Sequence, residues 1–192
     1  MKTLSEIEQF AKENYVPIAR KQTVEFILDY IKENNYHSFL EIGTAIGYTC
    51  IYLCTNLENL EIVTIEHDLN RVQCAKENFI DFNIESLITL VIDDAVYFET
   101  NKKFDLIFID AAKKRNWFFV EKFSKNLNPN GTIIVDNLHL DDFWIGANKN
   151  KKKEYDLVNK NFRETIISSN KYDYIFREDI GDGIVLLKNK NT

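Results

Sequence analysis

The sequence predicts an α/β fold built on one doubly wound sheet, mostly parallel, with an antiparallel strand near the C-terminus. Three observations carry that reading. Short apolar runs recur at 38–42, 61–66, 87–92, 104–109 and 132–135, and their near-continuous apolar character suits strands covered on both faces. Stretches with apolar residues at helical spacing alternate with them, the rhythm of βαβ units in a parallel sheet. The 192 residues, 45% hydrophobic and 28% charged, are enough for one sizeable core and disfavour disordered, fibrous and disulfide-scaffold classes.

The elements follow in order. Leu4, Ile7, Phe10 and Ala11 share one helical face, as do Val24, Ile27, Leu28 and Ile31, so two helices separated by Pro17 occupy residues 1–35 ahead of the first strand. A helix over 47–57 joins the first two strands. Another over 69–82, with Asp68 as N-cap, follows the second. After the third strand a short polar-to-aromatic segment, 93–99, leads to the strand at 104–109, and a helix over 116–127 leads to the strand at 132–135. The last third differs. A lysine run at 149–153, interrupted by Asn150, lies in a loop before a helix that ends near residue 168. Runs at 172–177 and 183–188, joined by a turn holding Gly181 and Gly183, read as an antiparallel pair closing one sheet edge. Neither a repeat nor a linker divides the chain, which reads as one domain over 1–192.

With 24 basic and 30 acidic residues the net charge is −6, so bulk charge gives no footprint of a nucleic-acid binder and leaves only a local patch for that role. Cys50, Cys54 and Cys74 are odd in number and lack paired-ligand spacing, which fits reduced thiols in a cytoplasm rather than a disulfide framework or a zinc knuckle. The N-terminal stretch carries acids early, and no run of about 18 uncharged apolar residues occurs, so neither secretion nor a membrane partner is expected.

Ligands of open α/β sheets sit beyond the carboxyl ends of the strands, near the point where strand order reverses. The first strand ends in Glu41-Ile42-Gly43-Thr44-Ala45-Ile46-Gly47-Tyr48-Thr49. Only the first glycine of a dinucleotide fingerprint aligns, Ala45 and Tyr48 replacing the other two, which weakens a dinucleotide reading. A tight turn beside the Glu41 carboxylate remains. It suits a ligand with a nucleoside and a cationic amino-acid part, or serves as a purely structural connection. Glu66 ends the second strand 23 residues after Gly43, the place of a ribose-binding acid, followed by His67 and Asp68. The third strand ends in Asp93-Asp94-Ala95, where Ala95 lets an adenine lie flat and Asp94 meets its exocyclic amine, or where both aspartates cap a short helix.

The fourth strand ends in Asp110 and the fifth in Asp136-Asn137. Three oxygen donors on one sheet edge, without His or Cys, suit a hard divalent cation such as Mg²⁺, although Asp and Asn are also common turn formers after strands. Lys113, three residues past Asp110, is a candidate base beside such a cation and otherwise a solvent-facing lysine in Lys113-Lys114-Arg115.

The ordered series EIGTAIGYT, IEHD, DDA, FIDAAKK and IIVDN resembles, over nearly the whole chain, the cation-dependent O-methyltransferases that use S-adenosylmethionine, the catechol and caffeoyl-CoA group. Within that group, Ala11-Lys12-Glu13-Asn14-Tyr15-Val16-Pro17-Ile18 is most similar to bacterial tRNA 5-hydroxyuridine methyltransferases. The resemblance implies a Rossmann-like methyltransferase sheet that transfers a methyl group from S-adenosylmethionine to the 5-hydroxyl of 5-hydroxyuridine at the tRNA wobble position, assisted by Mg²⁺. It implies a cofactor neighbourhood of Ala19, Glu41, Gly43, Gly47, Tyr48, Thr49, Glu66, His67, Asp94, Ala95 and Asp110. Gly43 and Thr49 would border the methionine part, Glu66 would bind the ribose and Ala95 would back the adenine. Asp110, Asp136 and Asn137 would hold the cation, and Lys113, with Asp110 beside it, would be the catalytic base. The chain departs from the family pattern in three places: Thr49 stands where serine is usual, Asp93 where glycine is common, and Ala19-Arg20-Lys21-Gln22 where a methionine and a Pro-Asp-Gly turn often follow. A cytoplasmic homodimer is implied, with the helices of 1–35 as a substrate or dimer cap. A small phenolic acceptor of the catechol or hydroxycinnamoyl kind is the alternative substrate. A cofactor-binding module without activity and a NAD-dependent oxidoreductase are alternatives of other classes.

Overall fold

The computed structural model describes residues 2–139 and 149–190, with Lys149 and Lys151 described in their backbone alone. Helix α1 (Leu4–Glu13) opens on a capping box between Thr3 and Glu6 and buries Ile7 and Ala11. Helix α2 (Lys21–Asn34) ends at Asn35 in the left-handed conformation and buries Val24, Ile27, Leu28 and Ile31. The alternation then runs β1 (Ser38–Ile42), α3 (Tyr48–Asn56), β2 (Glu61–Glu66), α4 (Leu69–Asp81), β3 (Ile88–Ile92), β4 (Phe104–Ile109), α5 (Asn116–Ser124), β5 (Leu127–Val135), α6 (Lys149–Ser169), β6 (Tyr172–Arg177) and β7 (Ile184–Asn189). As the sequence predicts, Asp68 caps α4, accepting from the backbone N–H of Asn70 and Arg71 at 2.9 and 3.2 Å.

The seven strands form one sheet in the order β3-β2-β1-β4-β5-β7-β6. Strands β1 to β5 pair in parallel, and β7 runs antiparallel to both β5 and β6. The expected antiparallel pair is present, with the later strand on the inside. Burial explains the placement: Ile184, Val185, Leu186 and Leu187 are all buried, whereas Asp173, Tyr174 and Ile175 are exposed, so the more apolar strand takes the position between two neighbours. Strand order reverses between β1 and β4, which sets the ligand crevice at the residues following those two strands.

Three expectations shift. The helix predicted over 116–127 stops at Ser124, and the strand predicted over 132–135 begins five residues earlier, at Leu127. Asn126 is the cause. Its side chain donates to the carbonyls of Thr100 and Lys102 at 2.9 and 2.8 Å, and its own carbonyl accepts from Phe104 N–H at 2.8 Å, so the chain is pinned to β4 before the apolar run starts. The lysine run at 149–153, expected in a loop, is instead the first part of α6; the stretch 140–148 ahead of it, including Gly146, lies outside the described residues.

The core has two layers. Phe39, Phe108, Ile134 and Leu186 face α1 to α4, while Leu40, Ile107, Ile109, Ile133 and Val135 face α5 and α6 through Phe119, Phe123, Phe162 and Ile166. Helices cover both faces, so the carboxyl ends of the strands are where buried backbone gives way to an opening.

Candidate functional site

Beyond those strand ends lies a cleft of about 940 Å³, lined by the turns after β1 to β5, by Glu8, Ala11 and Lys12 of α1, and by residues 16–22 leading into α2.

The turn after β1 is shaped by close approach. Gly43 has φ +103°, and a Cβ there would stand 2.3 Å from the Asp110 carbonyl oxygen, so glycine alone lets the β1 and β4 ends touch. Ala45 also has positive φ, +48°, and is held there by donating its N–H to Glu66 Oε2 at 3.0 Å. Gly47 plays a different part. Its Cβ would stand 2.4 Å from the Phe79 ring, so it seats the turn on α4 and does not line the cleft. Glu41 and Thr49 also stay behind the turn. The buried Glu41 carboxylate accepts from Thr64 Oγ1 at 2.6 Å and Cys50 Sγ at 3.1 Å and is bonded by Thr49; burial pushes its pKa up to about 7 against those bonds. These three residues, expected at the cofactor, support the turn from beneath. Tyr48 does line the cleft, and its hydroxyl donates to Glu8 at 2.5 Å, tying α1 to α3.

Glu66 is buried at the cleft wall. Its oxygens accept from the backbone N–H groups of Ala45, His67 and Asp68 at 3.0, 2.9 and 2.9 Å, which occupies three of a carboxylate's roughly four acceptor positions and leaves one for a ligand hydroxyl. His67 lines the mouth with a largely exposed ring. Ala95 is buried against the cleft. Asp94 caps its own turn, accepting from Val96 N–H at 2.9 Å, and pairs with Arg115 at 3.2 Å; these bonds hold its carboxyl below the usual range.

At the opposite end, sheet pairing continues one residue past the strands: Asp110 N–H donates to the Ile42 carbonyl and Asp136 N–H to the Ile109 carbonyl, both at 3.0 Å. Both acids are thereby held on one edge. Asn137, with φ +68°, donates its side-chain amide to Asp110 Oδ1 at 2.8 Å and its backbone N–H to Asp136 Oδ1 at 2.7 Å. Burial pushes Asp110 up to about 6, and burial together with the Asp110 charge pushes Asp136 well above the carboxylate range. Lys113, whose Nζ stands 4.2 Å from the centre of the Tyr155 ring, is brought down to about 8, burial outweighing the nearby Asp110, Asp136 and Asp182. Asp110, Lys113, Asn137 and Ala19 line the cleft, while Asp136 sits just behind it. Among the described residues no three His, Cys, Asp or Glu side chains converge as a ready-made metal cage.

Residues 1–190 match the family model for O-methyltransferases. The chain belongs to the O-methyltransferase family. The chain is 30% identical over 160 residues to the O-methyltransferase imqG of Aspergillus flavus, a match covering 77% of this chain and 60% of that protein's length. Catechol O-methyltransferase of Mycobacterium tuberculosis is 27% identical over 103 residues, covering 52% of this chain and 47% of that one. Among solved structures, a Staphylococcus aureus protein provisionally described as a caffeoyl-CoA O-methyltransferase is 28% identical, with a TM-score of 0.85 over 98% of this chain and 93% of that chain. An O-methyltransferase from Bacillus cereus, solved in complex with SAH, shares the fold at 23% identity and a TM-score of 0.78, over 99% and 92% of the two chains. No described helix of the methyltransferase is long and apolar enough to cross a membrane.

Sequence reasoning passes over three residues in and beside the cleft of the methyltransferase. Arg20, at the α2 start, and Asp182, in the β6–β7 turn, line the cleft, and Tyr155 of α6 packs against Lys113 from outside its lining. The one available signal is that Asp182 stands between Gly181 and Gly183 in a chain with six glycines, which marks a constrained turn without saying what it faces.

Proposed function

We propose that the methyltransferase moves a methyl group from S-adenosylmethionine to a hydroxyl oxygen with the help of a divalent cation, and that its acceptor is 5-hydroxyuridine at the tRNA wobble position. The observation that carries the chemistry is the pairing, in one cleft, of a nucleoside-type wall at Glu66 and Ala95 with the half-buried Asp110 and Lys113, behind which Asp136 is buried. The wall fits the cofactor: Glu66 keeps one acceptor position for a ribose hydroxyl, and Ala95 has no side chain to obstruct a flat base. The sulfonium supplies an electrophilic methyl group when the cofactor is bound.

The cluster also fits a hard cation. Two neighbouring carboxylates, Asp110 and the buried Asp136, repel each other and have pKa values pushed upward, so a divalent ion would relieve their repulsion, and the donors available to it are oxygens. Asp110, Asp136 and Asn137 would hold it, and it would supply positive charge that acidifies a bound hydroxyl. Lys113 takes the hydroxyl proton at Nζ, its lowered pKa leaving more of the free amine near neutrality than an exposed lysine has. Burial of these groups excludes water from the reacting oxygen.

A tRNA acceptor is supported by the N-terminal resemblance and by the basic side chains of Lys12, Lys21 and Arg71 along the cleft, which suit phosphates flanking one inserted base. A cleft of about 940 Å³ holds the cofactor and one ring, so only the wobble base would enter it. A small catechol is the second reading, favoured by the catechol O-methyltransferase among the relatives. Both acceptors present a hydroxyl beside a second oxygen. The proposal includes a homodimer working in the cytoplasm, with the helices of 1–35 as the cap over the acceptor. Labelled S-adenosylmethionine offered with Mg²⁺, and then with EDTA, to tRNA bearing 5-hydroxyuridine and to catechol tests it. Transfer to tRNA that stops in EDTA supports the proposal; transfer to catechol alone overturns the tRNA acceptor, and full activity in EDTA overturns the cation.

A further inference from the structure

The β6–β7 turn is built to meet two other parts of the cleft at once. Gly181, φ +53°, approaches so closely that a Cβ would stand 2.3 Å from Thr23 Oγ1 and 3.2 Å from Arg20 Cβ, at the start of α2. Gly183, φ +78°, lies against Leu138 and His139 of the segment that follows Asp136 and Asn137, with a Cβ 2.8 Å from the His139 ring. His139 N–H donates to the Asp182 carbonyl at 2.7 Å and Leu138 N–H to the Gly183 carbonyl at 2.9 Å. Between the two glycines, the Asp182 side chain points back across the chain, and Arg20 Nε donates to both of its carboxylate oxygens, at 3.1 and 3.0 Å, over a separation of 162 residues. Both residues line the cleft, Arg20 being 35% exposed in its side chain and Asp182 18%.

The location within the cleft decides what this pair can do. The charge of Asp182 acts on Asp110, Lys113 and Asp136, whereas the polar partners of Glu66 at the other end are Ala45, His67 and Asp68. The pair therefore belongs to the end where the acceptor oxygen must lie. Arg20 is also the N-cap residue of α2 and makes no side-chain cap hydrogen bond to that helix; its guanidinium is turned to Asp182 instead.

We propose that Arg20 and Asp182 are a positioning pair that fixes residues 16–22 as the wall of the acceptor end and so sets which acceptors reach Lys113. The inference rests on the methyl-transfer reading of the cleft. A partly buried arginine–carboxylate contact has directional strength that a surface pair lacks, and loss of either partner frees the wall.

The test uses the full chain as Arg20→Ala, Asp182→Asn, the double variant and Arg20→Lys. Folding is checked by thermal unfolding, S-adenosylhomocysteine binding is measured by calorimetry, and steady-state transfer is followed with tRNA bearing 5-hydroxyuridine and with catechol. Each single variant is expected to raise the acceptor KM at least tenfold while kcat and the S-adenosylhomocysteine Kd stay within about twofold. The double variant is expected to be no worse than the worse single, as for two residues acting through one contact, and Arg20→Lys to fall between Arg20→Ala and the unaltered protein. An unchanged acceptor KM in folded single variants, additive losses in the double variant, or an S-adenosylhomocysteine Kd that weakens as much as KM rises would overturn the pair alone. Failure of the unaltered protein to bind S-adenosylhomocysteine would overturn the reading of the site and the pair with it.

Discussion

Glu66 and Asp136 are both buried acids at strand ends of the same cleft, yet the fold treats them differently. Glu66 accepts from three backbone N–H groups; Asp136, among the described residues, accepts from the Asn137 N–H and stands beside a second acid. A buried charge is tolerated when hydrogen bonds replace its water and is costly when a like charge sits next to it. The charge of Glu66 is therefore held by the backbone itself, whereas at the β4–β5 end the charge of Asp136 is opposed by its neighbour Asp110. A site of this kind trades stability for chemistry.

Asp136→Asn breaks the comparison most severely. It removes one of the two repelling charges, so the variant should unfold at higher temperature, by the equivalent of about 1–3 kcal/mol, while methyl transfer falls roughly a thousandfold through loss of several kcal/mol of cation stabilisation. S-adenosylhomocysteine binding should survive. Differential scanning calorimetry together with a transfer assay checks it: a variant that loses activity and stability together would mean that Asp136 is well partnered in the fold. Lys113→Met comes next, with transfer expected to fall about a hundredfold or more as the proton acceptor disappears. Its stability should change little or rise, because an ammonium that is mostly buried is replaced by an apolar chain. Retention of full turnover at pH 8 would remove Lys113 from the mechanism.

Gly43→Ala strikes the junction between the two ends. A Cβ at 2.3 Å from the Asp110 carbonyl, on a backbone with φ +103°, combines steric overlap with strain, and about 4 kcal/mol of stability should be lost together with S-adenosylhomocysteine binding. Chemical denaturation and calorimetry measure both. Gly47→Ala makes the informative contrast: it collides with a Phe79 side chain rather than with backbone, so its cost should be lower and part of the binding should remain.

The same comparison separates what the sequence discloses from what it hides. Strand ends are legible because apolar runs stop abruptly at Asp110, Glu66 and Asp136, and a parallel sheet carries all three to one edge by topology alone. Side-chain direction is not legible in that way. Glu41 and Gly43 are two residues apart, yet one lies under the turn bonded to Thr64 and Cys50 and the other faces the cleft, where the chain turns at a φ of +103° that glycine permits. Asp182 was hidden for a further reason: it arrives through an antiparallel hairpin whose last strand inserts between β5 and β6, and neither spacing nor periodicity encodes that insertion.

Glu41 supplies the gentlest test, because its environment lies between those of Glu66 and Asp136. It has hydrogen-bond partners, but these are hydroxyls and a thiol rather than an array of backbone N–H groups, and burial still prevails, with a pKa of about 7 against 4.5 for a freely solvated glutamate. The folded state thus holds a proton between pH 4.5 and 7 that the unfolded chain releases. More protons bound in the folded state means that stability falls as pH rises through this window and levels off above it. A shift of this size corresponds to about 3 kcal/mol. Glu41→Gln cannot lose a proton, so its stability relative to the unaltered protein should climb by about that amount between pH 4.5 and 8, on top of a constant offset from its altered hydrogen bonds. Urea unfolding of both proteins at four pH values measures the difference. A flat difference would mean that Thr64, Cys50 and Thr49 hold the Glu41 charge as securely as the backbone holds Glu66, and would assign the opposed charge in the site to the β4–β5 end alone.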